Sequence, residues 1–382
     1  EMTNQIFEHV WKTSIQEIIQ GGEKRSALFT WPRIRLENVL QLVTEETQRF
    51  TRAHYEGDIH NLWYFPIIAD KTTLTAQAAS GQKVITVAET SYRHFYAGRE
   101  CILIASSTWE TWERVTIDTV TPTQITANEN LALTWPSGTL IYPLYPCRVK
   151  PMQSRMAKHI KIFSASIIAE ESFESDRSFS YTSPSIDTTA FPAYNSLNLF
   201  LVRPLAPIEE EFQHPYDLLG FLGKQVVYSN YGDTRSVLKR KFFIDTKKSI
   251  YDILDFFDVQ KGRLGTFYTP TWMKDIIITV GFDVGDTTLT VQKLYMTEDE
   301  MIVRHVYIQF PDKTYVCRKI TARPSETSIT IDSAIGTAVA TADLDDVLCC
   351  FLPEVRFNQD NIRLEYLQKS NLAKMDLNFR KL

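Results

Sequence analysis

Few residues in this 382-residue chain stand at spacings that chemistry uses. His54, Asp58 and His60, in His54-Tyr-Glu-Gly-Asp-Ile-His60, have metal-ligand residue types, and a turn that gathered them would offer two imidazoles and a carboxylate. Their spacing fits no usual two-histidine motif, and a polar loop between helix and strand accounts for it better. Glu170, Glu171, Glu174 and Asp176 have the oxygens a hard cation wants, but a solvated turn is the simpler account. Asp343-Leu-Asp-Asp346 resembles the paired carboxylates of a hydrolase, yet it leads into the apolar run Val347-Leu-Cys-Cys-Phe-Leu352 and reads as a turn entering a strand. Gly262-Arg-Leu-Gly265 lacks the lysine of a phosphate loop and the third glycine of a dinucleotide turn. Neither a Gly-x-Ser-x-Gly elbow nor a His-Glu-x-x-His is present. The expectation is a protein that is not an enzyme, with no catalytic, cofactor-binding or metal-binding residues and no cofactor.

The totals narrow the class further. Lys and Arg number 41 against 46 Asp and Glu, a net charge of −5 spread along the chain, so no nucleic-acid footprint is expected. Five cysteines without paired spacing argue against a disulfide framework or a zinc ribbon and suggest reduced thiols filling cores. Cys349 and Cys350, adjacent on a strand, point to opposite faces. Residues 1–20 lack a signal-peptide pattern, and no apolar run approaches the roughly 20 residues a helix needs to span a bilayer. A chain made in the cytoplasm, without a membrane span and with two or three domains, is expected.

The elements that would position these residues are mostly strands. Residues 1–20 suit a helix or a lead strand and arm equally, and Gly21-Gly22 then breaks the chain. In Glu23–Leu36, Ala27, Phe29 and Trp31 alternate with polar neighbours as in a strand, with Pro32 favouring an edge. Asn38–Phe50 reads as a short amphipathic helix. After residue 68, short β-branched runs follow at about 8–15-residue spacing, the pattern of a small antiparallel barrel or sandwich. Residues 171–193 are polar without apolar period and read as a linker or surface loop.

Much of this recurs. The aromatic-proline stretch Trp63-Tyr64-Phe-Pro66 is echoed by Phe267-Tyr268-Thr-Pro270, 204 positions on. Ser80–Val87, Ile102–Ile104 and Gln124–Thr126 match Val284–Val291, Val306–Ile308 and Ser328–Thr330 at the same spacing of 204, and Arg25-Ser26 matches Arg235-Ser236 at 210. Ser249–Phe257 takes the place of the Asn38 helix. A nearly constant offset in constant order indicates two copies of one β-rich unit.

With the repeat in view, Gly262-Arg263, Phe267-Tyr268, Pro270-Thr271-Trp272 and Asp275 resemble the motif of distal-tail and minor-tail proteins of long-tailed bacteriophages, in which a strand and short helix lead to Gly-Arg, an aromatic and Pro-Thr-Trp, then a small inserted β-domain. The first copy departs from it, with Gly57-Asp58 in place of Gly-Arg and Ile67-Ile68 in place of Thr-Trp. The resemblance implies a structural virion protein at the tail tip, in a ring-shaped homo-oligomer that joins the tail tube to the distal tip proteins of the hub. A host-surface glycan-binding module is the alternative, because barrels with exposed aromatics often bind sugars.

The expected fold is mainly β, a tandem duplication of a β-sandwich carrier with a short helix, each copy holding an inserted small antiparallel β-barrel. The boundaries are an arm at 1–20, a first carrier at 21–68 plus 145–172, a first barrel at 69–144, a linker at 173–196, a second carrier at 197–272 plus 352–382 and a second barrel at 273–351. Trp63, Tyr64, Pro66, Arg263, Phe267, Tyr268, Pro270 and Trp272 are the residues expected to form the carrier–barrel junctions. Proline stiffens the turn, each ring can bury about 150–250 Å², and Arg263 is expected to make a fixed ion pair or hydrogen bond there.

Overall fold

Alternation decides the first long element. In Arg33–Val43, Ile34, Leu36 and Asn38 are buried while Arg35, Glu37 and Val39 are only half-buried, the two-residue period of a strand. The helix expected over Asn38–Phe50 is therefore corrected. The backbone stays extended through Val43, and helical geometry appears at 45, 46, 48, 51 and 52. Val39, Leu40, Leu42 and Val43 suit either a helix face or a strand; β-branched stiffness and a paired strand on each side make it β.

This is a computed structural model, which describes residues 2–17, 23–30, 32–43, 45–46, 48, 51–52, 62–105, 111–149, 154–159, 162–171, 191–213, 217–221, 224–228, 235–296, 301, 303–367 and 372–382. The protein is mainly β, in antiparallel sheets. Among the described residues no helix is long and apolar enough to cross a membrane.

The main sheet can be walked from edge to edge. Leu205–Gln213 pairs with Arg235–Ile244, which pairs with Ala373–Lys381, which pairs at its start with Asn361–Tyr366. Asn361–Tyr366 pairs with Met2–Val10, so the lead stretch read as an arm is a strand held on both sides. The walk continues through Arg33–Val43 and Ile162–Glu171 to Ser154–His159. Cys147–Val149 and Glu354–Phe357 flank the two last strands, and these in turn pair with Trp63–Pro66 and Phe267–Tyr268.

Two smaller ladders branch from these flanking strands. In the first, Thr72–Thr73, Leu140–Ile141, Glu100–Ile104, Trp112–Thr121, Gln124–Ala127 and Val84–Thr86 pair in succession, and the bridge Leu74↔Val87 returns to the start. In the second, the bridge Ile276↔Cys349 and the strands Leu348–Phe351, His305–Gln309, Tyr315–Ser325, Ser328–Ile331 and Thr288–Thr290 follow the same order, and Ile278↔Val291 returns. The bridges Leu74↔Val87 and Ala78↔Trp135 thus reappear as Ile278↔Val291 and Phe282↔Val339, every residue 204 positions on. Two sequence matches do not carry over. Ile102 and Leu103, opposite Tyr142 and Ile141, take the places of Tyr307 and Ile308, opposite Cys350 and Cys349, one position beyond the expected Val306 and Tyr307; the Arg-Ser match fails as well. Glu23–Ala27 forms a hairpin with Thr13–Glu17, whereas Arg235–Ile244 lies inside the main sheet, as Arg33–Val43 does.

Each ladder encloses an apolar core, one around Ile85, Leu103, Ile117 and Trp135, the other around Leu289, Ile308, Phe310 and Ile329. A third core lies under the main sheet and is covered by the helix Lys247–Gln260. The Thr246 side chain caps that helix by accepting the Ser249 N–H, and Ile250, Leu254, Phe256 and Phe257 face the core. The helix ends at Lys261 with φ +52° and Gly262 with φ +63°. A Cβ on Gly262 would stand 2.9 Å from the Asp360 carboxylate, and one on Gly265 would stand 2.9 Å from the Gln260 backbone. Gly262-Arg-Leu-Gly265 is therefore a helix-terminating turn.

Candidate functional site

Period two splits the second aromatic pair between two cores. Phe267 faces the helix-covered core, with ring centroids 4.8 Å from Phe357 and 5.0 Å from Phe256. Tyr268 faces the opposite side, in a cluster with Leu199, Trp272, Tyr307 and Leu352. The buried turn after it is tied on both sides. The Thr269 hydroxyl donates to Phe200 O at 3.0 Å, Thr271 N–H donates to Phe351 O at 3.0 Å, and the Arg240 guanidinium donates to Thr271 O at 3.0 Å. Burial pushes the Arg240 guanidinium down to about 10, a cost this hydrogen bonding must offset. Asp275 accepts from the Thr271 hydroxyl and from Phe351 N–H; burial raises its carboxyl and those two bonds oppose the rise. Pro270 is buried, and Trp272 turns the chain with φ +59° and packs 5.5 Å from Tyr307 of the second ladder.

The first pair is arranged similarly, with different chemistry. Phe65 is buried in the helix-covered core, Trp63 is half-buried against it at 6.5 Å, and Tyr64 is exposed. The Gln5 side chain takes the place of the guanidinium, donating to Pro66 O at 2.9 Å and accepting from Ile68 N–H at 2.8 Å. A further hydrogen bond from Gln5 to Asn38, 2.8 Å long, orients that amide.

Arg263 stands elsewhere. It lies in the helix-terminating turn, its N–H donates to Asp360 at 3.1 Å, and its buried Nε has no hydrogen-bond partner among the described residues. The ion pair or hydrogen bond expected of Arg263 is represented by this backbone N–H bond alone, and the Asp360 that accepts it also accepts from both the N–H and the hydroxyl of Thr13.

The densest polar cluster went unforeseen. Asp70 and His94 from the first ladder region meet Lys247 and Tyr251 from the helix, and all four are buried. The Lys247 ammonium lies 2.6 Å from Asp70 Oδ1, the Tyr251 hydroxyl donates to Oδ2 at 2.8 Å, and His94 N–H donates to Oδ2 at 3.1 Å. The His94 ring also reaches both the Asp70 carboxylate and the Tyr251 hydroxyl. Burial raises the Asp70 carboxyl, but the Lys247 and His94 charges outweigh it and hold the group well below the usual carboxylate range. Burial lowers the His94 imidazole and raises the Tyr251 phenol. These are acid–base residue types, but the burial of all four makes them a joint rather than a site that meets substrate. Asp258 makes a second joint with His9 at 3.0 Å and Trp11 at 2.9 Å, and Glu23 makes a third with Arg356 and Arg380 at 2.8 and 2.9 Å. Nothing in the sequence marks these pairs except charged residues within apolar surroundings.

The other chemical candidates separate. His54, Asp58, His60, Glu174 and Asp176 lie outside the described residues. Glu171 accepts from Arg99 at 3.4 Å and Glu170 is exposed. Asp343, Asp345 and Asp346 are exposed on the 3-10 turn Thr341–Asp346. Cys349 and Cys350 point into different cores, and all five cysteines are buried free thiols. Among the described residues no group of three or more His, Cys, Asp or Glu is placed to hold a metal ion. Compared with protein-family models and with curated proteins, the sequence matches none.

Proposed function

We propose that the chain is a tandem duplication of one unit, a β-sandwich carrier with a helix and an inserted small antiparallel β-barrel. We further propose that it closes head to tail into a ring, as a structural, non-enzymatic virion component of a bacteriophage tail tip that joins the tail tube to the distal tip proteins. The duplication is supported by the two ladders, which pair in the same order, return on themselves as small barrels do, and share bridges at one offset of 204.

The observation that carries the ring is the strand order of the main sheet. It reads first, second, last, next-to-last strand of the second unit, then the same four of the first. Its centre is the pairing of Met2–Val10 with Asn361–Tyr366, one unit's first strand on the other's next-to-last. Its two ends are the equivalents, Leu205–Gln213 and Ser154–His159, and neither has a second partner among the described residues. Open edges invite pairing. Head-to-tail contacts that close give a ring, in which n chains present 2n similar units. The tail-tip assignment rests on the Gly262–Trp272 resemblance. Buried charge is spent in joints between the two halves, as suits a scaffold.

Light scattering combined with negative-stain imaging tests this. A single mass at a whole-number multiple of the chain mass, with a central hole, supports the ring. A monomer at every attainable concentration refutes it.

A further inference from the structure

The two units differ at one face. A cavity of about 360 Å³ beside the first aromatic pair is lined by Tyr64, Ile102, Ile104, Trp112, Arg114 and Leu144. Tyr64 is 40% exposed and Trp112 57%. The Arg114 guanidinium sits 4.7 Å above the Tyr64 ring and 3.6 Å from Glu100.

Strand register identifies the same face in the second unit. Ile102 stands opposite Arg114 and Tyr142, as Tyr307 stands opposite Cys317 and Cys350. Trp112 stands opposite Ile104 as Tyr315 stands opposite Gln309. Tyr64 corresponds to Tyr268, which is only 5% exposed. The cover in the second unit is the chain's own segment at 193–201. Tyr194 packs 5.4 Å from Tyr268, with its hydroxyl 3.0 Å from His305. Leu199 is buried in a parallel bridge to Tyr268, Phe200 N–H donates to Tyr268 O at 2.8 Å, and Leu197 and Leu201 pack on the same cluster.

We infer that the open face of the first unit is a docking groove for an extended apolar peptide segment with an aromatic residue followed three and five positions later by leucines, the pattern of Tyr194, Leu197 and Leu199. The segment lies along Tyr64 as Leu199 lies along Tyr268, adding main-chain hydrogen bonds to side-chain burial. An apolar peptide fits this lining better than a sugar does, because Ile102, Ile104 and Leu144 offer no hydrogen bonds and only Arg114 and Glu100 are charged. The inference rests on the two-unit reading and goes beyond the ring, since the groove belongs to one unit.

The probe is a fluorescein-labelled synthetic peptide of residues 191–203 of this chain, followed by anisotropy against the full chain. Saturable binding is expected, weakened at least about tenfold by Trp112→Ala or Ile102→Lys in the protein and by joint replacement of Leu197 and Leu199 with serine in the peptide. Trp112 is solvent-facing, so Trp112→Ala leaves the fold in place. No binding to the unsubstituted chain, or binding to Trp112→Ala and Ile102→Lys as tight as to the unsubstituted chain, overturns the inference. So does quenching of Trp112 fluorescence by a soluble oligosaccharide that the peptide fails to displace, which would make this face a glycan site. A chain that stays monomeric sinks the ring and leaves this groove standing.

Discussion

Lys247 and Asp70 are 177 residues apart, yet ammonium and carboxylate meet at 2.6 Å with both groups buried. The contact fastens the helix Lys247–Gln260 to the 3-10 turn Ile68–Asp70 at the start of the first ladder. An ion pair this buried gains little over an apolar isostere, but losing one partner strands the other charge. Lys247→Met is therefore expected to cost about 3–5 kcal/mol in denaturant unfolding. Lys247→Met combined with Asp70→Asn should cost less than the sum of the single changes, because no lone carboxylate remains.

The same cluster sets a pH dependence. Burial holds the His94 imidazole below its ordinary value in the folded chain, so the unfolded chain binds a proton first as pH falls through about 6.5. Stability should decline from there downward. The depressed Asp70 carboxyl adds a second decline below about pH 4, where the unfolded carboxyl protonates and the folded one does not. His94→Gln should flatten the upper part of the curve and Asp70→Asn the lower, as read by melting temperature against pH. A His94→Gln profile that retains the full slope between pH 6.5 and 5 would contradict the assignment.

Trp272 combines a left-handed backbone, φ +59°, with a ring packed on Tyr307. Trp272→Ala should cost about 3–5 kcal/mol through the lost ring. Trp272→Gly should be the more stable of the two by about 1 kcal/mol, since glycine alone avoids the left-handed penalty. Elsewhere in a structured segment glycine is usually the worse substitution. Thermal melts of the two variants side by side decide the order.

The motif that prompted the phage-tail resemblance divides in the same way. Gly265→Ala would set a Cβ 2.9 Å from the Gln260 backbone, and it is expected to cost about 1–3 kcal/mol. Arg263→Ala removes a buried Nε without a partner among the described residues, so it should change stability by less than about 1 kcal/mol. Denaturant midpoints for the pair would show whether the turn or the arginine matters to the fold.

The sequence displays the small ladders best. Leu74, Ala78, Val87 and Trp135 each recur as an apolar residue 204 positions on, because closing a small ladder tolerates few insertions. The main sheet was harder to read. Arg25-Ser26 resembles Arg235-Ser236 in type alone, and Asn38–Val43 shows an apolar spacing that helices and strands share. Asp70, His94, Lys247 and Tyr251 were not legible at all as a site. Each sits singly among ordinary neighbours, and only the packing of the helix Lys247–Gln260 on the first ladder brings them together.

Register makes the proposed ring specific. In the internal joint Ile6 faces Glu365. Ile6 corresponds to Glu209, since Glu37 and Lys239 face them, and Glu365 corresponds to Met156 through the last strands. Both Glu209 and Met156 are exposed, and all five native cysteines are buried, so a short bismaleimide will report on introduced thiols. The decisive measurement is crosslinking of a chain carrying Glu209→Cys and Met156→Cys, with light scattering on the same sample. A covalent ladder that ends at the ring mass is predicted, with only dimers from an equimolar mixture of the two single variants. An oligomer that does not crosslink would contradict the edge pairing, and a monomer would contradict the ring itself.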